Sequence, residues 1–239
     1  MRIAIVSDIH GNRTAFEAVL RDLRETAPDL VLHGGDLVHG GSNSAGIVDR
    51  VRDLGWPGVL GNTDEMMFRP ASLKEFASHS TAPAALWAAI EEMAEADREA
   101  LGEARLAWLS RLPIQWAEGA VALVHANPAS CWRAPAAEAP DAELESVYGP
   151  LGRPVVVHGH IHRSYIRKIA GGVVANTGSV SLSYDGDPRA AYLLLEDGEP
   201  SIRRVAYDVD AEIRAIAASR IPHADWMARI LGSARPQMP

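Results

Sequence analysis

Within its first sixty residues the chain alternates short apolar runs with amphipathic stretches, and that alternation narrows the fold more than any other feature. Residues 2–7 (RIAIVS) form an apolar run. Asn12 then stands where a helix N-cap belongs, and Ala15, Phe16, Val19, Leu20 and Leu23 recur at helical spacing. Residues 30–33 read as a second strand, 43–54 as a second helix and 57–60 as a third strand. Such a βαβαβ run demands parallel strands with helices packed outside.

Beyond residue 70 the pattern changes. Ser72 and Glu75 fit a capping box, and 81–111 is rich in Ala, Glu and Leu, so 71–111 reads as a helical excursion beside the sheet. Strands follow at 120–125, 154–158, 164–169, 172–176, 190–196 and 201–207, with hairpin turns expected at Gly171-Gly172 and Asp197-Gly198. A helical tail within 208–239, centred on 210–231, closes the chain. The Ala/Pro-rich loop at 126–140 lies inside the strand series, so the expectation is a single domain over 1–239.

The polar residues that terminate the strands carry the chemistry. Asp8 and His10 follow the first, Asp36 the second, and Asn62, Thr63 and Asp64 the third. His125 follows VALV, and His160 and His162 follow VVVHG. Functional groups of open α/β sheets gather at the carboxyl ends of strands. Carboxylate, imidazole and amide oxygen together suit a divalent metal of intermediate hardness. The lone Cys131 argues against a structural zinc site. About seven ligands exceed the needs of one ion and suit two that share a carboxylate.

In order, DIH (8–10), GGD (34–36), GNTD (61–64), His125 and GHIH (159–162) resemble the motifs of the calcineurin-like metallophosphoesterases, and most closely their small bacterial phosphodiesterase branch. The resemblance implies an α/β fold, a four-layer α/β/β/α sandwich with two central mixed sheets and a dinuclear metal site at the strand carboxyl ends. It implies that Asp8, His10 and His162 hold one metal, that Asn62, His125 and His160 hold the other, and that Asp36 bridges them. Mn²⁺ is the expected metal, with Fe²⁺, Zn²⁺ and Ni²⁺ as alternatives. The expected reaction is phosphodiester hydrolysis by a hydroxide activated between the two metals. A phosphomonoesterase, a protein or nucleotide phosphatase, or a non-catalytic scaffold of the same fold are the alternatives. All seven ligand positions are filled, which weighs against the scaffold. The HxHxDH motif of metallo-β-lactamases ranks low because Ile161 and His162 stand where it needs Asp-His.

One position departs from the family pattern. Thr63 replaces the histidine of GNHD that can protonate the leaving oxygen, a contribution typically worth about 10²–10⁴-fold. Good leaving groups are therefore expected. Asp64 is expected to orient the loop. His39 is a candidate to contact substrate or supply a proton, and Arg13, Arg133 and Arg163 to clamp a phosphate. The helix after Asn12 is expected to offer free N–H groups, and His158 to stand behind the ligands. Asn176, in NTGS, reads as a turn residue.

A net charge of −8 provides no basic surface for a nucleic-acid polymer. The expected partner is a small phosphate ester, with no membrane and with a homo-oligomer left open. One cysteine and no apparent signal peptide or membrane span point to the cytoplasm.

Overall fold

The computed structural model describes residues 1–239. In chain order its elements are β1 (Arg2–Val6), α1 (Arg13–Thr26), β2 (Leu30–His33), α2 (Ser44–Leu54), α3 (Asn62–Phe68), α4 (Ala71–Ala77) and α5 (Ala84–Leu109). There follow β3 (Gln115–Glu118), β4 (Val121–Val124), α6 (Asp141–Tyr148), β5 (Val155–His158), β6 (Tyr165–Ile169) and β7 (Gly172–Asn176). The last are β8 (Ala190–Glu196), β9 (Glu199–Val205), α7 (Val209–Ser219) and α8 (Ala224–Ser233).

The strands form two mixed sheets, ordered β2-β1-β8-β9 and β3-β4-β5-β7-β6. Alternation along each strand builds the layers, because successive side chains face opposite sides of a sheet. Ile3 and Ile5 of β1 meet Val121, Leu123, Val155 and Val157 of β4 and β5 between the sheets. The alternate residues Ala4 and Val6 pack outward on Phe16 and Val19 of α1 and Val48 of α2. On the second sheet, Ala122 and Val156 pack outward on Leu144 and Tyr148 of α6. This is the four-layer α/β/β/α sandwich expected. No helix is long and apolar enough to cross a membrane.

The caps at Asn12 and Asn43 form as read, their side chains accepting from Ala15 and Gly46 N–H. The tight turn at Asp197-Gly198, with both φ positive, joins β8 to β9. Several local readings need correction. Residues 57–60 make a single parallel bridge, Gly58 to His33, and no strand. Leu60 N–H already turns to Pro113 C=O, and Gly61 then caps α3. Ser72 and Glu75 make no capping box. Helix α4 starts after Pro70, Ser72 Oγ donates to Arg69 C=O, and Glu75 pairs with Arg69. The long helix α5 is broken at Gly102. The tail splits into α7 and α8 at Ile221-Pro222, since proline lacks the N–H a continuing helix needs. Helices α3 and α6 and the edge strand β3 were not expected. For α6 a signal existed, Pro140 followed by Asp141 and Glu143 in the first turn.

Candidate metal centre and its cavity

Two pairs of loops bring the expected residues together. The loop after β1 zips onto the loop after β2 through Asp8 N–H to Gly35 C=O, His10 N–H to Asp36 C=O and Gly11 N–H to Leu37 C=O, each about 3.0 Å. His160 N–H reaches across to Asp8 Oδ1 at 3.1 Å, drawing in the loop after β5. Close approach requires glycine at two points. A Cβ on Gly61 would lie 2.1 Å from Asp36 N, and one on Gly35 2.6 Å from Gly61 N.

The backbone at the site is strained in one consistent way. Asp8, His10, Asp36, His39, His160 and His162 all have positive φ, between 49° and 82°. Non-glycine residues in this region cost about 1–3 kcal/mol each and persist only where surrounding structure holds them. Six at one place mark a constellation, not a loop accident.

Acceptors converge there. Carbonyl groups take the Nδ1–H of three histidines: His39 C=O for His10 at 3.0 Å, Gly34 C=O for His125 at 2.8 Å and Leu182 C=O for His162 at 2.6 Å. That orients each ring and, in the neutral form of the imidazole, leaves Nε2 as a lone pair turned into the cluster. The Nε2 atoms of His10 and His162 face each other at 3.1 Å, and His162 Nε2 lies 3.1 Å from Asp8 Oδ1. His125 Nε2 lies 3.1 Å from Asn62 Oδ1 and 3.3 Å from Asp36 Oδ1, while His160 Nδ1 sits 2.8 Å from the same Asn62 oxygen. Lone pairs set against lone pairs in a buried place need a positive charge among them, so this donor set fits metal cations.

The ligand atoms fall into two groups. Asp8, His10, Asp36 and His162 form one group, and Asp36, His125 and His160 another, the ligand atoms within each lying no more than 4.8 Å apart. Asp36 belongs to both. Its Oδ2 faces His10 at 3.5 Å and its Oδ1 faces His125, while Thr63 N–H donates to Oδ1 at 2.9 Å and holds the carboxylate in that pose.

Protonation follows from burial and neighbours. Burial works to raise Asp36 and Asp8, but the imidazoles of His125 and His162 outweigh it and hold both carboxyls below the usual range. Burial pushes His10 and His160 down to about 4. Burial also acts to lower His125, yet the Asp36 carboxylate beside it prevails and raises it to about 9. Loading that side with a metal therefore displaces a proton. Asp64, buried and close to Asp36, rises to about 7. Its oxygens accept Leu37 N–H at 2.9 Å and Gly61 N–H at 3.1 Å, fastening α3 to the loop after β2.

Other expectations meet different geometry. Thr63 Oγ1 donates to Val38 C=O at 3.0 Å. The N–H groups at the start of α1 are occupied, Thr14 by Glu212 Oε2 and Ala15 by Asn12. Arg13, Arg133 and Arg163 do not line the central cavity. His39 does, and Asp97 of α5 stands 3.5 Å from its Nδ1. His158 ends β5 within the core, its Nε2 2.7 Å from Tyr165 OH and its ring stacked on Tyr148. Asn176 Nδ2 donates to Gly159 C=O and its Oδ1 accepts Gly178 N–H, holding the turns.

The candidate metal centre is the floor of a cavity of about 240 Å³. Its wall was not read from the sequence. Phe76 of α4, Trp87 of α5, Trp132 of the 126–140 loop and Trp226 of α8 rise around the floor. They come from four distant segments, each of which reads as ordinary core. Asp97 was missed because it stands among the charged residues of α5, which read as a solvated helix face.

A model of the calcineurin-like phosphoesterase superfamily domain matches residues 1–198. An uncharacterized protein of Methanocaldococcus jannaschii is 27% identical over 252 residues, covering 96% of each chain. A symmetrical bis(5′-nucleosyl)-tetraphosphatase of Methylococcus capsulatus is 32% identical over 150 residues, which are 62% of this chain and 50% of that protein. A solved metallophosphoesterase from Sphaerobacter thermophilus shares the fold with a TM-score of 0.78, at 24% identity over 98% of this chain and 100% of that one. The ordered motifs, the two-sheet sandwich and the family match agree, and the chain belongs to the calcineurin-like phosphoesterase superfamily.

Proposed function

We propose that the protein is a metal-dependent phosphoesterase that hydrolyses phosphodiester bonds. The observation that carries this reading is the convergence of buried lone pairs on Asp36, whose two oxygens face separate ligand groups. Asp8, His10 and His162 would hold one ion and Asn62, His125 and His160 the other, with Asp36 common to both. Mn²⁺ is the first choice for this mixed oxygen and nitrogen set. Bound there, two divalent ions would neutralise charge on a phosphoryl group and acidify the attacking water.

The chain's own groups do the rest. Thr63 N–H and the carbonyls behind His10, His125 and His162 fix ligand orientation. Asp64 positions Asn62 by tying down the start of α3. Thr63, its hydroxyl engaged with Val38, is a poor proton donor. His39 lines the cavity with Nδ1 free of any hydrogen bond and Asp97 beside it, and we assign it the leaving oxygen.

The test is a Mn²⁺-reconstituted assay on bis(p-nitrophenyl) phosphate and p-nitrophenyl phosphate, with a chelator control. Metal-dependent turnover favouring the diester supports the reading. A preference for the monoester would move it to a phosphomonoesterase, and no turnover of either would remove it.

A further inference from the structure

Above the candidate metal centre the cavity wall is mostly apolar, with His39, Thr63 and Tyr184 as its polar members outside the ligand set. Phe76, Trp87, Trp132, Trp226, Met227 and Ile230 line it, and no lysine or arginine does. The aromatic members brace one another. Phe76 meets Trp87 edge-on with ring centroids 5.7 Å apart and lies against Trp132 at 5.1 Å. Glu65 accepts the Trp132 indole N–H, and Gln237 C=O accepts that of Trp226 at 2.8 Å, so both rings are held in place. The Trp87 indole N–H is shielded from solvent and has no acceptor in the protein.

The guanidinium of Arg133 is stacked 5.1 Å over the Phe76 ring and lines a separate hollow with Arg69. A chain of phosphates running out from the metals would therefore meet mostly rings and aliphatic side chains, with no lysine or arginine to pair with. The volume, about 240 Å³, also falls below the roughly 300–1,000 Å³ of pockets that take drug-sized ligands. It suits one ring beside one phosphoryl group.

We propose that this wall selects esters of a single phosphoryl group with a compact aromatic or apolar substituent, and selects against nucleoside polyphosphates. The inference rests on the phosphoesterase reading of the floor. It separates this chain from the substrate class in the name of its tetraphosphatase relative.

Affinity can be read without turnover. Phenylphosphonate and methylphosphonate present the same phosphoryl oxygens to the Mn²⁺-reconstituted protein, with tryptophan fluorescence or calorimetry as the readout. Burial of one ring predicts phenylphosphonate about ten- to a hundred-fold the tighter. Trp87→Leu and Trp87→Ala should both lower that ratio. Unchanged thermal melting of at least one would show that the wall, not the fold, was altered. Comparable affinity for the two phosphonates, or no binding of either, would overturn the proposal. A higher kcat/KM for diadenosine tetraphosphate than for bis(p-nitrophenyl) phosphate would overturn it too. Selective phosphonate binding with no ester turnover would leave this inference standing and remove the phosphoesterase reading.

Discussion

The floor and the wall of the cavity are built by opposite means. Every floor residue lies within a few positions of a strand end or of α3, and the backbone itself aims the side chains, with six residues held at positive φ. The wall has no such local device. Phe76, Trp87, Trp132 and Trp226 are separated by up to 150 residues of chain, and only packing of α4, α5, α8 and the 126–140 loop brings them together. On the proposed reading, reaction chemistry is written locally and substrate choice globally. Substitutions should separate the two.

The largest effect should come from Asp36→Asn, because one carboxylate serves both ligand groups. Activity should fall beyond the roughly 10–100-fold typical of losing a residue that merely supports a ligand. Steady-state assays with metal analysis of the purified variant would check it. A variant retaining full metal content and near wild-type rate would break the account of the floor.

His33 provides a control for what a strand-ending histidine does outside the floor. It is fully buried, and neither ring nitrogen has a partner. Burial alone pushes it down to about 4, from the 6.5 of an exposed imidazole. Between these values the unfolded chain binds the extra proton, so this contribution to stability is complete above pH 6.5 and is lost as pH falls toward 4. The loss amounts to about 3 kcal/mol. Urea unfolding of wild type and His33→Phe at pH 7.5 and pH 4 should show the two stabilities shifting apart by about that amount, in favour of the variant at low pH. Parallel curves would place the burial penalty elsewhere.

These contrasts explain what could be read from sequence. The candidate ligands were legible as a cluster because metal chemistry needs particular residue types, and the loops that hold them are short and follow apolar runs. The alternation of Ile3 and Ile5 with Ala4 and Val6 likewise announced a strand between two cores. The third strand was misread because Val59 and Leu60 look like β1 in miniature, whereas their hydrogen bonds run to His33 and Pro113. Helix α3 escaped notice because its cap is a glycine without a side-chain signal and its first turn is the GNTD motif itself. The wall was silent because an aromatic residue facing a cavity and one facing a core carry the same local pattern.

A smaller effect is expected at Thr63, on the border between the regions. Thr63→His should add a second proton donor beside His39 and raise turnover of alkyl esters by at most about tenfold, with less benefit for nitrophenyl esters. Equal effects on both would argue that protonation of the leaving oxygen does not limit the reaction. The smallest effect concerns metal and wall together: Trp87→Ala should leave the metal content of the protein unchanged, since no wall side chain is a ligand. Loss of metal in that variant would erase the distinction between floor and wall.

The central claim is a floor for two ions that share Asp36, and stoichiometry tests it most directly. Elemental analysis of the protein after Mn²⁺ reconstitution and removal of excess metal should find close to two equivalents per chain. His160→Ala and His162→Ala should each lower the value toward one, and His158→Ala should keep two at sufficient Mn²⁺. A wild-type value that never exceeds one equivalent would contradict the account.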